Sequence, residues 1–184
     1  MRALAKVTEI GGYVEAGHSE RVSRLAVAIG RELGIHEPQL LELEYAALMH
    51  DIGQLSLHEP IAGGATVLVS RQDQQRIAEL GADVIQQAQV LGSVAEIVRR
   101  QNEPYRDTES AANGHAPSAK PAGPPLSSRI IKAANAFDDL VGSSLDPCRA
   151  EAAVQRLRLD TASEYDPATV EALSRVVDRR SVLL

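Results

Sequence analysis

The chain has 184 residues, 44% of them hydrophobic, and a formal net charge of −6, which suffices for one buried core and requires no second domain. Its pI near 5.4 argues against a nucleic-acid polymer or an anionic membrane surface as a general partner. With Cys148 as the single cysteine, no Trp and 3% aromatic residues, an internal disulfide and a cysteine-rich zinc fold are excluded, and the core must be built from Leu, Ile, Val and Ala, as suits packed helices.

Residues from about Arg2 to Val14 read as a first helix broken at Gly11-Gly12, a turn that delivers Glu15 and His18 to the start of the next helix. Its N-terminal stretch has no uninterrupted apolar run, so a soluble, cytoplasmic chain without a membrane segment is expected. From Ser19 the pattern Val22, Leu25, Ala26, Ile29, Leu33 is a helical face that closes at Gly34. Pro38 opens the following helix. Within Leu41 to Leu55, LELEYAALMHDIGQL, residues Leu41, Tyr45, Leu48 and Ile52 form an apolar stripe, and Gly53 is expected to end the helix just after His50-Asp51.

Leu55 to Val69 reads as a connecting loop. Ser70 then caps a helix through Gln89 with Ile77, Leu80, Val84 and Ile85 inward, and Ser93 begins another with Val94, Ile97 and Val98 as its core face, stopping before Pro104. Residues 106–125, RDTESAANGHAPSAKPAGPP, are of low complexity and expected to be mobile or disordered. Beyond them Ser127 or Ser128 caps a helix bearing Ile130, Ile131, Ala134 and Phe137. Asp146-Pro147 starts a helix through Leu157, and Asp166-Pro167 starts the last, with Val170, Leu173 and Val177. The expectation is one all-α domain over residues 1–184, a bundle of about seven helices.

The chemistry lies at His50-Asp51. Neighbours on a regular helix point roughly 100° apart, so the pair can act together only where a helix is ending. There an imidazole can hold a metal ion while the adjacent carboxylate holds the same ion or bridges to a second. Other polar candidates are plainer: His36 and His58 sit beside acids in turns, His115 falls in the low-complexity stretch, Arg179-Arg180 reads as a C-terminal tail, and Cys148 is a lone thiol near a helix start. Arg99 and Arg100 are candidates for phosphate contacts.

Five segments in order, AGHSERVSRLAVAIGRELGI, AALMHDIGQL, RIAELGADVI, PPLSSRIIKAANAFDDL and YDPATVEAL, resemble the HD superfamily of metal-dependent phosphohydrolases, and more narrowly its HD-GYP branch, which hydrolyses cyclic di-GMP. The resemblance implies metal ligands at His18, His50 and Asp51. It also sets Ile77 where the family has a third His, Gln101 and Asn102 where it has two adjacent His, and Asn135 where it has a late Asp. Gln54 stands at the position of a usual Lys, and the low-complexity stretch takes the place of the glycine-tyrosine-proline signature. Ile77 has no lone pair, amides are poor ligands for transition metals, and Asn for Asp removes a negative charge, so a two-metal centre is not expected.

Two functions are compatible with this. One is a degenerate signalling domain, catalytically impaired or inactive, that binds a cyclic dinucleotide or a protein partner. The other is a phosphohydrolase or cyclic di-GMP phosphodiesterase with a reduced centre, in which His50 and Asp51 are catalytic and His18, His50 and Asp51, with Asn135 or water completing the shell, hold one weakly bound Fe, Mn or Zn. Under a purely structural role the same trio is a buried hydrogen-bonded group with no metal at all. A homodimer, and a place within a longer sensor protein, are compatible with either function.

Overall fold

The computed structural model describes residues 2–57, 70–106 and 123–181. In chain order the elements are α1 (Arg2–Ile10), α2 (His18–Glu32), α3 (Gln39–Met49), a 3-10 turn (Ile52–Ser56), α4 (Arg71–Gln86), a second 3-10 turn (Gln89–Leu91), α5 (Gly92–Arg99), α6 (Leu126–Val141), α7 (Pro147–Leu159) and α8 (Pro167–Ser181). Eight α-helices and no strand are therefore found among the described residues. None is long and apolar enough to cross a membrane. Residues 107–122 of the 106–125 low-complexity stretch, His115 included, and His58 with the rest of 58–69 lie outside the described residues.

α2 is the central helix, packed against α3, α6 and α8, while α4 packs on α5 and on the first 3-10 turn. The reason is its periodicity: Val22, Leu25, Ala26 and Ile29 are all buried, and they meet Leu43, Ala46, Ile130, Ile131, Phe137 and Leu173 in one aliphatic core. The short side chain of Gly30 lets Leu40 and Leu43 of α3 approach α2, since a Cβ there would meet Leu43 Cδ2 at 2.9 Å. Two helix starts follow the expected chemistry. Asp166 accepts the Ala168 N–H at 3.0 Å ahead of α8, and Asp146 accepts that of Cys148 at 3.0 Å ahead of α7.

Several expectations need correction. On α3 the buried residues are Leu40, Leu43, Ala46, Ala47, Leu48 and Met49, with Leu41 left 41% exposed. Of the expected series Leu48 and Ile52 are buried and Tyr45 packs against the core, whereas the inward place expected for Leu41 is taken by Leu40, which faces α2 across Gly30. Val84 is 49% exposed, and α4 ends at Gln86, before Gln89. Ser128 does not cap α6, whose N-cap is Pro125. Its buried hydroxyl instead donates to the Ile97 carbonyl at 2.8 Å, tying α6 to α5. Arg179 lies within α8, where it and Arg175 pair with Glu32 of α2, so this segment is not a free tail.

Candidate metal centre

α3 ends at Met49, and His50 and Asp51 then carry the chain into the 3-10 turn. Gly53 is not what ends the helix. It lies within the 3-10 turn, and a Cβ there would fall 2.0 Å from the Ile77 carbonyl oxygen, so its role is to let the turn lie directly on α4. The change from α-helix to tighter turn between residues 49 and 52 re-aims the two side chains, and they converge with His18 from the first turn of α2.

His18, His50 and Asp51 are all buried. His18 Nε2 lies 3.3 Å from His50 Nε2 and 3.2 Å from Asp51 Oδ2, while His50 Nε2 lies 3.0 Å from Asp51 Oδ2. A tetrahedral shell with bonds of about 2.1 Å has edges of about 3.4 Å, so the three atoms stand near the spacing of three ligands to one ion. Asn135 Oδ1 lies 3.2 Å from His50 Nε2 and is a fourth candidate. The two rings are tilted by 45° with centroids 5.2 Å apart, so they are not stacked; they meet at their Nε2 atoms.

The tautomers follow from the outer contacts. His50 Nδ1 lies 2.8 Å from the Ala47 carbonyl, which can only accept, and His18 Nδ1 lies 2.8 Å from Asp138 Oδ2. Each Nδ1 thus carries its proton, and each Nε2 turns a lone pair inward. Asp51 Oδ2, between them, has no hydrogen-bond donor. Three acceptors facing one another call for a positive charge between them, either protons or a metal ion. On this ground the residues fit a single divalent cation.

The charge balance agrees. Burial alone would lower the His18 pKa, but Asp138 and Asp51 together outweigh it and raise it to about 10. Burial opposes the Asp51 charge in the same way, and His50 and His18 overcome it, holding the carboxyl well below its usual range. For His18 the folded value exceeds the ordinary 6.5, so its contribution to stability is complete below 6.5 and lost as pH rises through about 10. In chelator, the folding free energy is expected to fall across that interval at up to about 1.4 kcal/mol per pH unit, and His18→Gln should flatten the slope. Equal slopes in denaturant titrations of the two proteins would exclude a protonated His18.

Two neighbours were not legible as site residues. Asp138 holds His18 and is itself gripped by Arg21, whose Nε donates to Oδ1 at 2.8 Å and Nη2 to Oδ2 at 2.9 Å. The second, Asp139, has an Oδ2 closed off from solvent with no hydrogen-bond partner. The only sequence signal for either is the Asp138-Asp139 doublet itself. Glu15, near His18 in sequence, turns to Arg21 at 2.8 Å rather than inward.

The other positions singled out by the sequence lie outside the ring of three. Ile77 is 2% exposed in the core. Gln101 Nε2 donates to the His50 carbonyl at 2.8 Å, and Asn102 Nδ2 to the Gln74 carbonyl at 2.8 Å. Gln54 is fully buried, with neither amide atom hydrogen-bonded. Arg99 pairs with Asp83 and Arg100 with Glu103, both at 2.8 Å, so the two arginines proposed as phosphate contacts are occupied at the surface. His36 and Cys148 are exposed. Beside Asn135 and Gln101 opens a cleft of about 340 Å³, also lined by Asn102, Lys132, Arg71 and Tyr165. Lys132 donates there to Glu164 at 2.8 Å and to the Glu103 carbonyl at 3.1 Å.

This geometry can be set against known proteins. The chain is 25% identical over 165 residues to a cyclic di-GMP phosphodiesterase of Thermotoga maritima, covering 86% of this chain and 44% of that protein. It is 28% identical over 191 residues to a 3'3'-cGAMP-specific phosphodiesterase of Vibrio cholerae, covering 96% of this chain and 38% of the other. A crystal structure of a cyclic GMP-AMP specific phosphodiesterase from V. cholerae superimposes with a TM-score of 0.68 at 20% identity, over 99% of this chain and 49% of that one. The chain thus spans less than half the length of these relatives. The HD domain profile matches residues 13–169, a span that contains His18, His50, Asp51 and the helices that bring them together, and the chain belongs to the HD domain family.

Proposed function

We propose that this chain is a degenerate HD-GYP-type signalling domain that retains one divalent-ion site, binds a cyclic dinucleotide in the adjoining cleft, and is impaired in hydrolysis. The observation that carries the reading is the donorless Asp51 Oδ2 held between two imidazole nitrogens. His18, His50 and Asp51 would hold the ion, with Asn135 as a neutral fourth ligand, and Fe, Mn or Zn suits a set of two nitrogens and a carboxylate. Asp138 and the Ala47 carbonyl fix the two rings.

When bound, such an ion polarises a phosphoryl oxygen and lowers the pKa of water. A second activating charge has little to rest on here. Ile77 fills the core, and the amides of Gln101 and Asn102 donate to backbone carbonyls, so an in-line displacement would lack the clamp on its leaving oxygen. In the cleft, Lys132 and Arg71 offer positive charge to a phosphate, partly offset by Glu164, to which both are paired.

The competing reading, a working phosphodiesterase with a reduced centre, is favoured by the survival of the whole His-His-Asp set. One experiment separates the two. Elemental analysis of protein purified without chelator is expected to give close to one Fe, Mn or Zn per chain for the parent and none for the His50→Ala, Asp51→Ala double variant. Cyclic di-GMP and 3'3'-cGAMP should then bind the loaded parent without measurable turnover. Turnover would select the enzyme; an empty parent after metal is offered would make the trio structural, and a protein partner the remaining ligand for this face.

A further inference from the structure

α6 carries three polar residues at spacing i, i+3 and i+4 on the side nearest the metal centre's own partners: Asn135, Asp138 and Asp139. The first two touch it, Asn135 Oδ1 at 3.2 Å from His50 Nε2 and Asp138 Oδ2 at 2.8 Å from His18 Nδ1. Asp139 lies roughly 40° from Asn135 around the helix axis, one turn further on, so it shares this face.

Asp138 has its charge accounted for by Arg21 and His18; Asp139 has no ion pair among the described residues. Its Oδ2 is closed off from solvent and receives no hydrogen bond. Burial raises its pKa to about 6, and His18, Asp51, His50 and Asp138 are the charges that act on it. A buried carboxylate without a donor is costly. A second buried oxygen without a hydrogen-bond partner, Asp51 Oδ2, belongs to the metal centre itself, and the charges of Asp51, His18 and His50 are felt at Asp139. The set of atoms within 4.8 Å of one another is His18, His50 and Asp51, so Asp139 stands outside the first ring of ligands.

We propose that Asp139 is an outer carboxylate of a divalent-cation site built on His18, His50 and Asp51, supplying the negative charge that Asn135, one helical turn earlier, does not. The proposal rests on the single-ion reading above and extends it to a residue that the sequence resemblance does not assign. It accounts for two orphaned oxygens with one missing charge: a divalent ion at the trio leaves one positive charge after Asp51, and Asp139 balances it from outside the ligand ring.

The test uses the full chain stripped of metal, with Mn²⁺ and Zn²⁺ titrated calorimetrically, and thermal unfolding followed in chelator. Asp139→Asn is expected to weaken the ion at least about 10-fold, yet to unfold in chelator at the same or a higher temperature than the parent, because it removes an unpartnered buried charge. Asp178→Asn, an exposed carboxylate on α8, controls for net charge and should leave the affinity unchanged. Parent and Asp139→Asn binding equally well would overturn the proposal while leaving the single-ion site standing. A parent that takes up neither ion would overturn both. An Asp139→Asn variant less stable than the parent in chelator would give Asp139 a structural partner instead, and would also overturn it.

Discussion

Gly53→Ala is expected to leave little folded protein. The added Cβ would lie 2.0 Å from the Ile77 carbonyl oxygen, 2.7 Å from the Gly81 nitrogen and 3.0 Å from the Ile77 carbonyl carbon. All three are backbone atoms of α4, so no side chain can swing aside, and the 3-10 turn must lift from the helix. That movement begins two residues after Asp51 and opens the buried contact between the turn and α4. The expected loss exceeds about 4 kcal/mol, at the far end of single substitutions. Gly81→Ala is the milder partner. Its Cβ would meet Gly53 N at 3.1 Å, a contact that a small shift relieves, and about 1–2 kcal/mol is expected. Denaturant unfolding of both variants checks the order; a Gly53→Ala protein within 1 kcal/mol or so of the parent would mean that the turn and α4 are further apart than described.

Arg21→Met should come next in size, and it acts on the centre without touching it. The guanidinium grips both oxygens of Asp138, at 2.8 and 2.9 Å, and Asp138 in turn takes the His18 Nδ1 proton. The side chains of Arg21 and Asp138 are only 18% and 7% exposed. Removing the arginine therefore leaves a largely buried carboxylate with His18 as its one remaining partner among the described residues, at a cost of about 3 kcal/mol. Methionine keeps most of the apolar stem, which confines the loss to the charge. Lysine should recover little, since a single ammonium cannot reproduce the two-pronged grip. With Asp138 loosened, the His18 ring loses its anchor and any ion it holds should bind about 10-fold more weakly. Chemical denaturation in chelator measures the first effect and metal titration the second. A variant as stable as the parent would show that Asp138 finds another donor.

These two effects differ in how far the sequence announces them. The glycine after His50-Asp51 is visible in the sequence, but its reason is not: it reads as a helix stop, whereas its function is an approach of two backbones 24 or more residues apart. Arg21 and Asp138 are 117 positions apart, and each alone reads as a solvated charge on an amphipathic helix. The same limit explains α3. Leu40 and Leu41 are equally apolar in sequence, and the close approach at Gly30 turns Leu40 and Leu43 inward and leaves Leu41 outward, while Leu48 is buried as its spacing implies.

What the sequence by itself determined is local and periodic. The apolar spacing of α2, the Asp-Pro starts of α7 and α8 and the aliphatic composition specify an all-helical domain, because helix periodicity and capping act over a few residues. The ordered motifs placed His18, His50 and Asp51 as one set. Tertiary structure decided what that set can do. It brought three acceptor atoms to 3.0–3.3 Å, fixed both imidazole tautomers through Asp138 and Ala47, turned Gln101 and Asn102 to backbone carbonyls, and left Asp139 with a donorless oxygen. Hydrogen bonds, burial and charge pairing depend on distances between residues far apart in the chain, and only the packing of α2, α3 and α6 sets those distances.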